Sequence, residues 1–173
     1  MTATKPLSDR VALVTGGSRG VGQAIATRLA ADGAAVAVNY RRDEAAAAQV
    51  VAEIEAAGGT ARAYRAPVDD AEAVAAMTEA ITTDLGPVDL LVSNAGTASR
   101  GRTIADTPAD EYVRLMQVHV LGPVELIRRL LPGMRARDRS DVVVISSSIV
   151  SDTPPSGAPY TMAKAALEAA TTM

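Results

Sequence analysis

Apolar residues fall along this chain in two alternating rhythms. Short, nearly unbroken runs have the length of strands covered on both faces, as in a parallel sheet: Val11-Ala12-Leu13-Val14, Ala34-Ala35-Val36-Ala37-Val38-Asn39-Tyr40, Val88-Asp89-Leu90-Leu91-Val92 and Val142-Val143-Val144-Ile145. Residues 60–66 form a weaker strand between the second and third of these. The intervening segments carry apolar residues at helical spacing. Ile25 and Leu29 mark a helix over 23–31, ended by Asp32-Gly33. Val50, Val51 and Ile54 mark a second, capped by Asp43 and stopped at Gly58-Gly59. Val74, Met77 and Ile81 mark a third, opened by the capping-box-like Asp69-Asp70-Ala71-Glu72 and broken at Gly86-Pro87. Thr107-Pro108 is expected to start a long helix, with Thr107 as cap and Pro108 at the first helical position. That helix should turn Val113, Met116 and Val120 inward, kink at Gly122-Pro123 and end at Pro132-Gly133. Residues 94–106 and 146–159 read as loops, and a last helix begins near Tyr160 and still runs at Met173. Strands alternating with helices in this way predict an α/β fold: one doubly wound parallel sheet in three αβα layers, a single domain over residues 1–173.

Composition narrows the picture. Hydrophobic residues make up 48% of 173 positions, yet Phe and Trp are absent, so the core must be aliphatic. A net charge of −3 without a dense basic patch argues against a nucleic-acid partner. The absence of cysteine rules out disulfides and thiolate chemistry and fits a reducing compartment. No signal-peptide core follows Met1, and no apolar run is long enough to cross a bilayer. A soluble, cytoplasmic protein is expected, with no membrane partner and no metal site.

The first strand runs into Thr15-Gly16-Gly17-Ser18-Arg19-Gly20-Val21-Gly22, and a helix follows. In such a unit Gly16 permits the tight turn, Gly20 lets a pyrophosphate approach the backbone, and Gly22 lets the helix pack close on the strand. The unpaired N–H groups and positive dipole end of the first helical turn suit a diphosphate. An ordinary glycine-rich turn is the alternative, but the flanking strand and helix, with a second such unit downstream, favour a nucleotide site in a Rossmann-like sheet. A second signal is Tyr160-Thr161-Met162-Ala163-Lys164. Four apart on a helix, the phenol and the amine share one face. A free Tyr, with a pKa of about 10, is a poor base at neutral pH, and a nearby cation favours its phenolate. The pair would serve as a general acid/base; the alternative is a chance pair on a helix surface.

With these motifs the chain resembles the short-chain dehydrogenase/reductase family of single-domain type, over residues 9–173, and most resembles the 3-oxoacyl-(acyl-carrier-protein) reductases. Thr15-Gly16-x-x-x-Gly20-x-Gly22 corresponds to the family's cofactor loop, and Ser93-Asn94-Ala95-Gly96 to its Asn-Asn-Ala-Gly segment. Ser147, thirteen residues before Tyr160, falls at the catalytic serine, with Ser146 and Ser148 as rivals. The resemblance implies that Tyr160 exchanges a proton with the substrate oxygen and that Ser147 orients that oxygen. Lys164 would lower the Tyr160 pKa and hold the nicotinamide ribose. It further implies cofactor contacts from Gly16, Ser18, Arg19, Gly20, Val21, Gly22, Val68, Asn94, Ala95 and Gly96, besides Tyr160 and Lys164. Where NAD-binding sheets carry an acidic residue, the second strand ends at Tyr40, followed by Arg41 and Arg42. With Arg19, these guanidinium groups suit a 2′-phosphate and predict NADP(H); a solvated basic turn is the alternative.

Three positions depart from the family pattern. Pro67 stands where an adenine-contacting Asp or Asn is usual, leaving the Val68 backbone and Asp69. Ser93 replaces the first Asn of its segment. His119, the one histidine, replaces the Asn of the proton-relay tetrad, either as a catalytic group or as a buried imidazole bonded to a backbone carbonyl. The family's C-terminal strands and substrate-covering loop are missing after Met173, so a fragment of a longer enzyme or a truncated, impaired form is expected. The substrate expected is a small ketone or secondary alcohol, with a 3-oxoacyl thioester first, and the chain should form a homodimer or homotetramer. A non-catalytic nucleotide-binding protein and a structural subunit are the competing readings.

Overall fold

The computed structural model describes residues 5–152 and 154–171. Five strands, β1 (Val11–Val14), β2 (Ala35–Tyr40), β3 (Thr60–Arg65), β4 (Leu90–Ser93) and β5 (Asp141–Val144), form one parallel sheet in the order β3-β2-β1-β4-β5. Strand order reverses between β1 and β4. Val14 pairs with Val38 on one side and Val92 on the other, so the chain leaves these strands in opposite directions and opens a crevice at their carboxyl ends.

Successive strand residues point to opposite sides, and helices cover both faces of β1, β2 and β4, whereas Val142 and Val143 of β5 are exposed. Ala12 and Val14 pack with Val36 and Val38 beneath α1 (Gly20–Ala31) and α2 (Glu44–Ala56), through Ala26, Ala30, Val50 and Ile54. On the other face Leu13 and Leu91 meet Val74, Met77 and Ile81 of α3 (Ala71–Asp84), and Leu126 and Leu130 of α5 (Gly122–Arg135). Leu115 of α4 (Ala109–Met116) packs on Ala163 and Leu167 of α7 (Ala158–Thr171). The core is aliphatic, and each fully buried Leu or Ile side chain contributes about 1.5–3 kcal/mol.

The long helical stretch differs from expectation. Thr107 is no cap: its hydroxyl donates to the Thr103 carbonyl at 2.6 Å, and Pro108 itself occupies the cap position in extended conformation. Val113 is exposed, and the inward positions on α4 are Glu111 and Leu115. On that face Leu115 packs on α7 and the Glu111 carboxylate is buried against the preceding loop. The expected kink at Gly122-Pro123 is instead a π-helical turn over Gln117–Leu121, after which Pro123 sits harmlessly in the first turn of α5. Gly122 serves close packing: a Cβ there would lie 2.5 Å from the Val68 carbonyl oxygen. Pro132 lies inside α5, which continues to Arg135. Asp70 rather than Asp69 caps α3, accepting from the Glu72 and Ala73 N–H groups at 3.0 Å. A short α6 (Ile149–Asp152) interrupts the expected loop, α7 starts at Ala158, and its predicted continuation at Met173 lies outside the described residues.

A buried ion cluster ties the amino ends of three strands together, far from the crevice. Arg10 donates to Asp89 Oδ1 at 2.6 Å, to the Asp89 carbonyl at 2.9 Å and to Asp141 Oδ2 at 3.0 Å, while Arg137 pairs with Asp89 Oδ2 at 3.2 Å. Asp89 is wholly inaccessible. Removing the Asp89 carboxylate takes one bond from buried Arg10 and the ion pair from Arg137, while Arg10 keeps the Asp89 carbonyl and Asp141. Asp89→Ala should therefore cost about 1.5–3 kcal/mol of stability, read from urea unfolding; a loss under about 0.5 kcal/mol would dismiss the cluster as a determinant of the fold.

Candidate active site

The turn after β1 is built by satisfying backbone groups that have left the ladder. Thr15 Oγ1 accepts from the Asn94 and Ala95 N–H groups, both at 2.9 Å. Asn94 Nδ2 donates back to the Thr15 carbonyl at 2.9 Å and the Gly16 carbonyl at 3.3 Å. Asn39, fully buried at the end of β2, accepts from the Gly16 N–H at 3.3 Å and donates to the Ala66 carbonyl at 2.9 Å. Gly16 takes a positive φ of 63°, and a Cβ on Gly22 would sit 2.2 Å from the Gly16 carbonyl oxygen, so neither position accepts a side chain without displacement. Asp43 and Asp70 cap α2 and α3 through their side chains, whereas Arg19 at the head of α1 gives no such bond. The first-turn N–H groups of α1 therefore have no side-chain cap.

Two adjoining cavities open along the carboxyl ends of the strands. The first, about 610 Å³, takes in Gly16, Ser18, Arg19, Tyr40, Arg41, Arg42, Val68, Asn94, Ala95 and Gly96. Among the expected cofactor residues Gly20, Val21, Gly22, Tyr160 and Lys164 do not line it. Gly20 (φ 57°) and Gly22 shape the turn, and Val21 borders the second cavity. Arg41 pairs with Asp69 at 3.5 Å across the mouth. The second cavity, about 540 Å³, shares Asn94, Gly96 and Thr97 with the first and is bordered by His119, Tyr160 and Lys164.

Lys164 is buried, its Nζ donates to the Ile145 carbonyl at 2.5 Å, and it lies 5.9 Å from the Tyr160 ring centroid. Burial pushes the Lys164 ammonium below its ordinary value, with Glu168 pulling it back up. His119 stands edge-on to the Tyr160 ring, with centroids 5.1 Å apart and planes at 89°. Its Nε2 faces the Thr97 backbone, 2.8 Å from the carbonyl oxygen and 3.2 Å from the N–H group that donates to it. Nδ1 is buried with no hydrogen-bond partner among the described residues. The imidazole is thus buried at the π-helical turn, bonded to the Thr97 backbone and on the cavity wall. Of the three serines only Ser146 lines the cavity; its hydroxyl is bonded to the Glu168 carboxylate. The Ser147 hydroxyl instead accepts from the Ile149 N–H at 3.3 Å, at the start of α6.

Asn39, Glu111 and Arg114 were not singled out as site residues from sequence. The signal for Asn39 was one amide in an otherwise apolar strand, a polar group that cannot be buried without partners. Burial drives the His119 value below 6.5, opposed by the Thr97 bond and reinforced by Lys164 and Arg114. With a depressed folded-state value, the unfolded chain takes up the proton first as pH falls, so stability must drop from about pH 6.5 downward. The melting temperature should fall between pH 7 and 5, and His119→Asn should flatten that fall; equal slopes in both proteins would disprove it.

A sequence profile described as short chain dehydrogenase matches residues 10–173. An uncharacterized oxidoreductase of Mycobacterium bovis is 37% identical over 165 residues, covering 94% of this chain and 48% of its own. The 3-oxoacyl-(acyl-carrier-protein) reductase of Staphylococcus aureus is 38% identical over 139 residues, 80% of this chain and 56% of its own. Among solved structures, a metagenomic short-chain oxidoreductase in complex with NADP superimposes with a TM-score of 0.90 at 36% identity, over 96% of this chain and 75% of its own. The chain thus spans about half the length of the curated relatives it matches. Matched over nearly its whole length, this chain belongs to the short-chain dehydrogenase family.

Proposed function

We propose that the chain is an NADP(H)-dependent oxidoreductase that interconverts a ketone and a secondary alcohol. The observation that carries this reading is the meeting of the glycine-turn cleft with the Tyr160–Lys164 cavity along one shared wall. The residues present fit the cofactor. Gly16 and Gly22 make a cradle that side chains would fill, and α1 offers a helix end without a side-chain cap. Arg19, Arg41 and Arg42 bring guanidinium groups to the cleft in place of an acidic ribose acceptor. When bound, the nicotinamide ring gives or takes the hydride.

The chain's own residues would do the rest. Tyr160, on the first turn of α7, donates a proton to the carbonyl oxygen in reduction or accepts one from the hydroxyl in oxidation. Lys164 holds the phenol's face of the cavity electropositive and contacts the ribose hydroxyls. Ser147, or Ser146 whose hydroxyl borders the cavity, hydrogen-bonds the substrate oxygen. His119 holds the Thr97 backbone and stands edge-on to the Tyr160 ring, with its Nδ1 unpartnered among the described residues. A 3-oxoacyl thioester is the leading substrate, supported by the similarity to the Staphylococcus aureus reductase.

Loss of NADPH absorbance on adding an acetoacetyl thioester reads the activity directly. Tyr160→Phe should lower kcat by about 10²–10⁴ with NADPH binding retained; undiminished turnover would remove Tyr160 from the mechanism. NADPH binding without turnover in the wild type would favour a nucleotide-binding protein instead. Arg42→Ala should weaken NADPH binding by about tenfold and leave NADH binding unaltered; equal losses for both would defeat the 2′-phosphate assignment.

A further inference from the structure

The segment 97–102 forms one wall of the second cavity, through Thr97, Ala98, Ser99 and Gly101, and has no regular secondary structure. A stretch of backbone without a ladder holds its shape only where other groups bond it. Here the bonds come from one face of α4, from His119 on the Thr97 backbone, and from the turn before α7. Glu111 Oε1 accepts from the Ser99 hydroxyl at 2.8 Å and from the Arg100 N–H at 2.7 Å. One turn on, Arg114 Nη1 donates to Thr97 Oγ1 at 3.1 Å. At the far end the Arg102 carbonyl accepts from the Gly157 N–H at 3.0 Å, and the Gly157 carbonyl accepts from the Tyr160 N–H at 2.9 Å. The wall is therefore strung between α4 and the turn that presents the phenol.

Glu111 is the unexpected member. A carboxylate on a helix face is ordinarily solvated, yet its side chain is 1% exposed. The Arg100 guanidinium lies 4.0 Å from Oε2, Arg114 adds a second positive charge nearby, and Oε2 has no hydrogen-bond partner among the described residues. The donated bonds from Arg100 and Ser99 hold the carboxyl below its ordinary value, so it is ionised at neutral pH. An ion buried at this cost, with both donors on one loop, fixes that loop.

We propose that Glu111 is a positioning residue that sets the shape of the carbonyl-substrate wall, acting through Ser99 and Arg100 and not on the cofactor cleft. This rests on the oxidoreductase reading only for what occupies the cavity. None of residues 99–102 lines the first cleft, so the effect separates by ligand.

Glu111→Ala removes both acceptor bonds, while Glu111→Gln keeps an oxygen that can receive them. Hydrogen exchange on the intact chain should show the Arg100 and Gly157 amides losing protection in the Ala variant and keeping it in the Gln variant. The KM for the acetoacetyl thioester should rise by about tenfold in Glu111→Ala, with kcat and the NADPH Kd within about twofold of wild type. Glu111→Asp, which keeps the charge but retracts it by one methylene, carries the same expectation should the Ala variant not fold. Unchanged amide protection, or an NADPH Kd rising in step with KM, would overturn the assignment. A wild type that binds NADPH but reduces no carbonyl would defeat the proposed function, and the exchange data alone would then judge whether Glu111 holds the wall.

Discussion

The structure depends on how the chain ends its strands at the point where the sheet changes direction. Two strands part there, and each leaves peptide groups that no neighbouring strand can bond. A hydroxyl and two amides absorb them: Thr15 takes two N–H groups from the start of the β4 loop, Asn94 returns a bond to the β1 turn, and Asn39 bridges that turn to the end of β3. Because these partners are side chains, the turn is rigid without being filled, and a cleft remains between polar walls. Unpaired peptide groups at this depth would each cost about 1–3 kcal/mol, enough to close or unfold the crevice.

The same need for close approach explains the small residues. Ala26 and Ala30 let α1 lie near the sheet, Gly22 lets its first turn touch Gly16, and Gly122 lets the long helix rest on the Val68 carbonyl. Gly96 belongs to this set in a different way. A Cβ on it would stand 2.6 Å from His119 Cε1, so the imidazole occupies the space a side chain would need. The π-helical turn delivers His119 to that spot while Val118 and Val120 on either side remain packed.

Charge is divided between the two ends of the sheet. At the amino ends, Arg10 and Arg137 are matched by Asp89 and Asp141, and the cluster serves cohesion of β1, β4 and β5. At the carboxyl ends, Arg19, Arg41, Arg42 and Lys164 face the cavities, and Asp69 is the one carboxylate paired with them there among the described residues. An anionic ligand therefore meets a cationic rim at the end where the helix dipole of α1 also points.

The chain's own order of residues determined the strands, three of the helices, the glycine turn and the Tyr160–Lys164 spacing. Each rests on local repetition or a short motif, and burial on both faces leaves little freedom in reading apolar runs such as that of β1. Tertiary contacts decided the rest. The phase of α4 places Leu115 against α7 and Glu111 against the preceding loop, and leaves Val113 exposed. In place of the kink expected at Gly122-Pro123 there is a π-helical turn over Gln117–Leu121, followed by the close approach of Gly122 to the Val68 carbonyl. Which serine borders the cavity and what His119 bonds were likewise fixed by neighbours distant in sequence. A linear pattern records which faces are apolar, whereas a buried polar group is placed only by the partner that satisfies it.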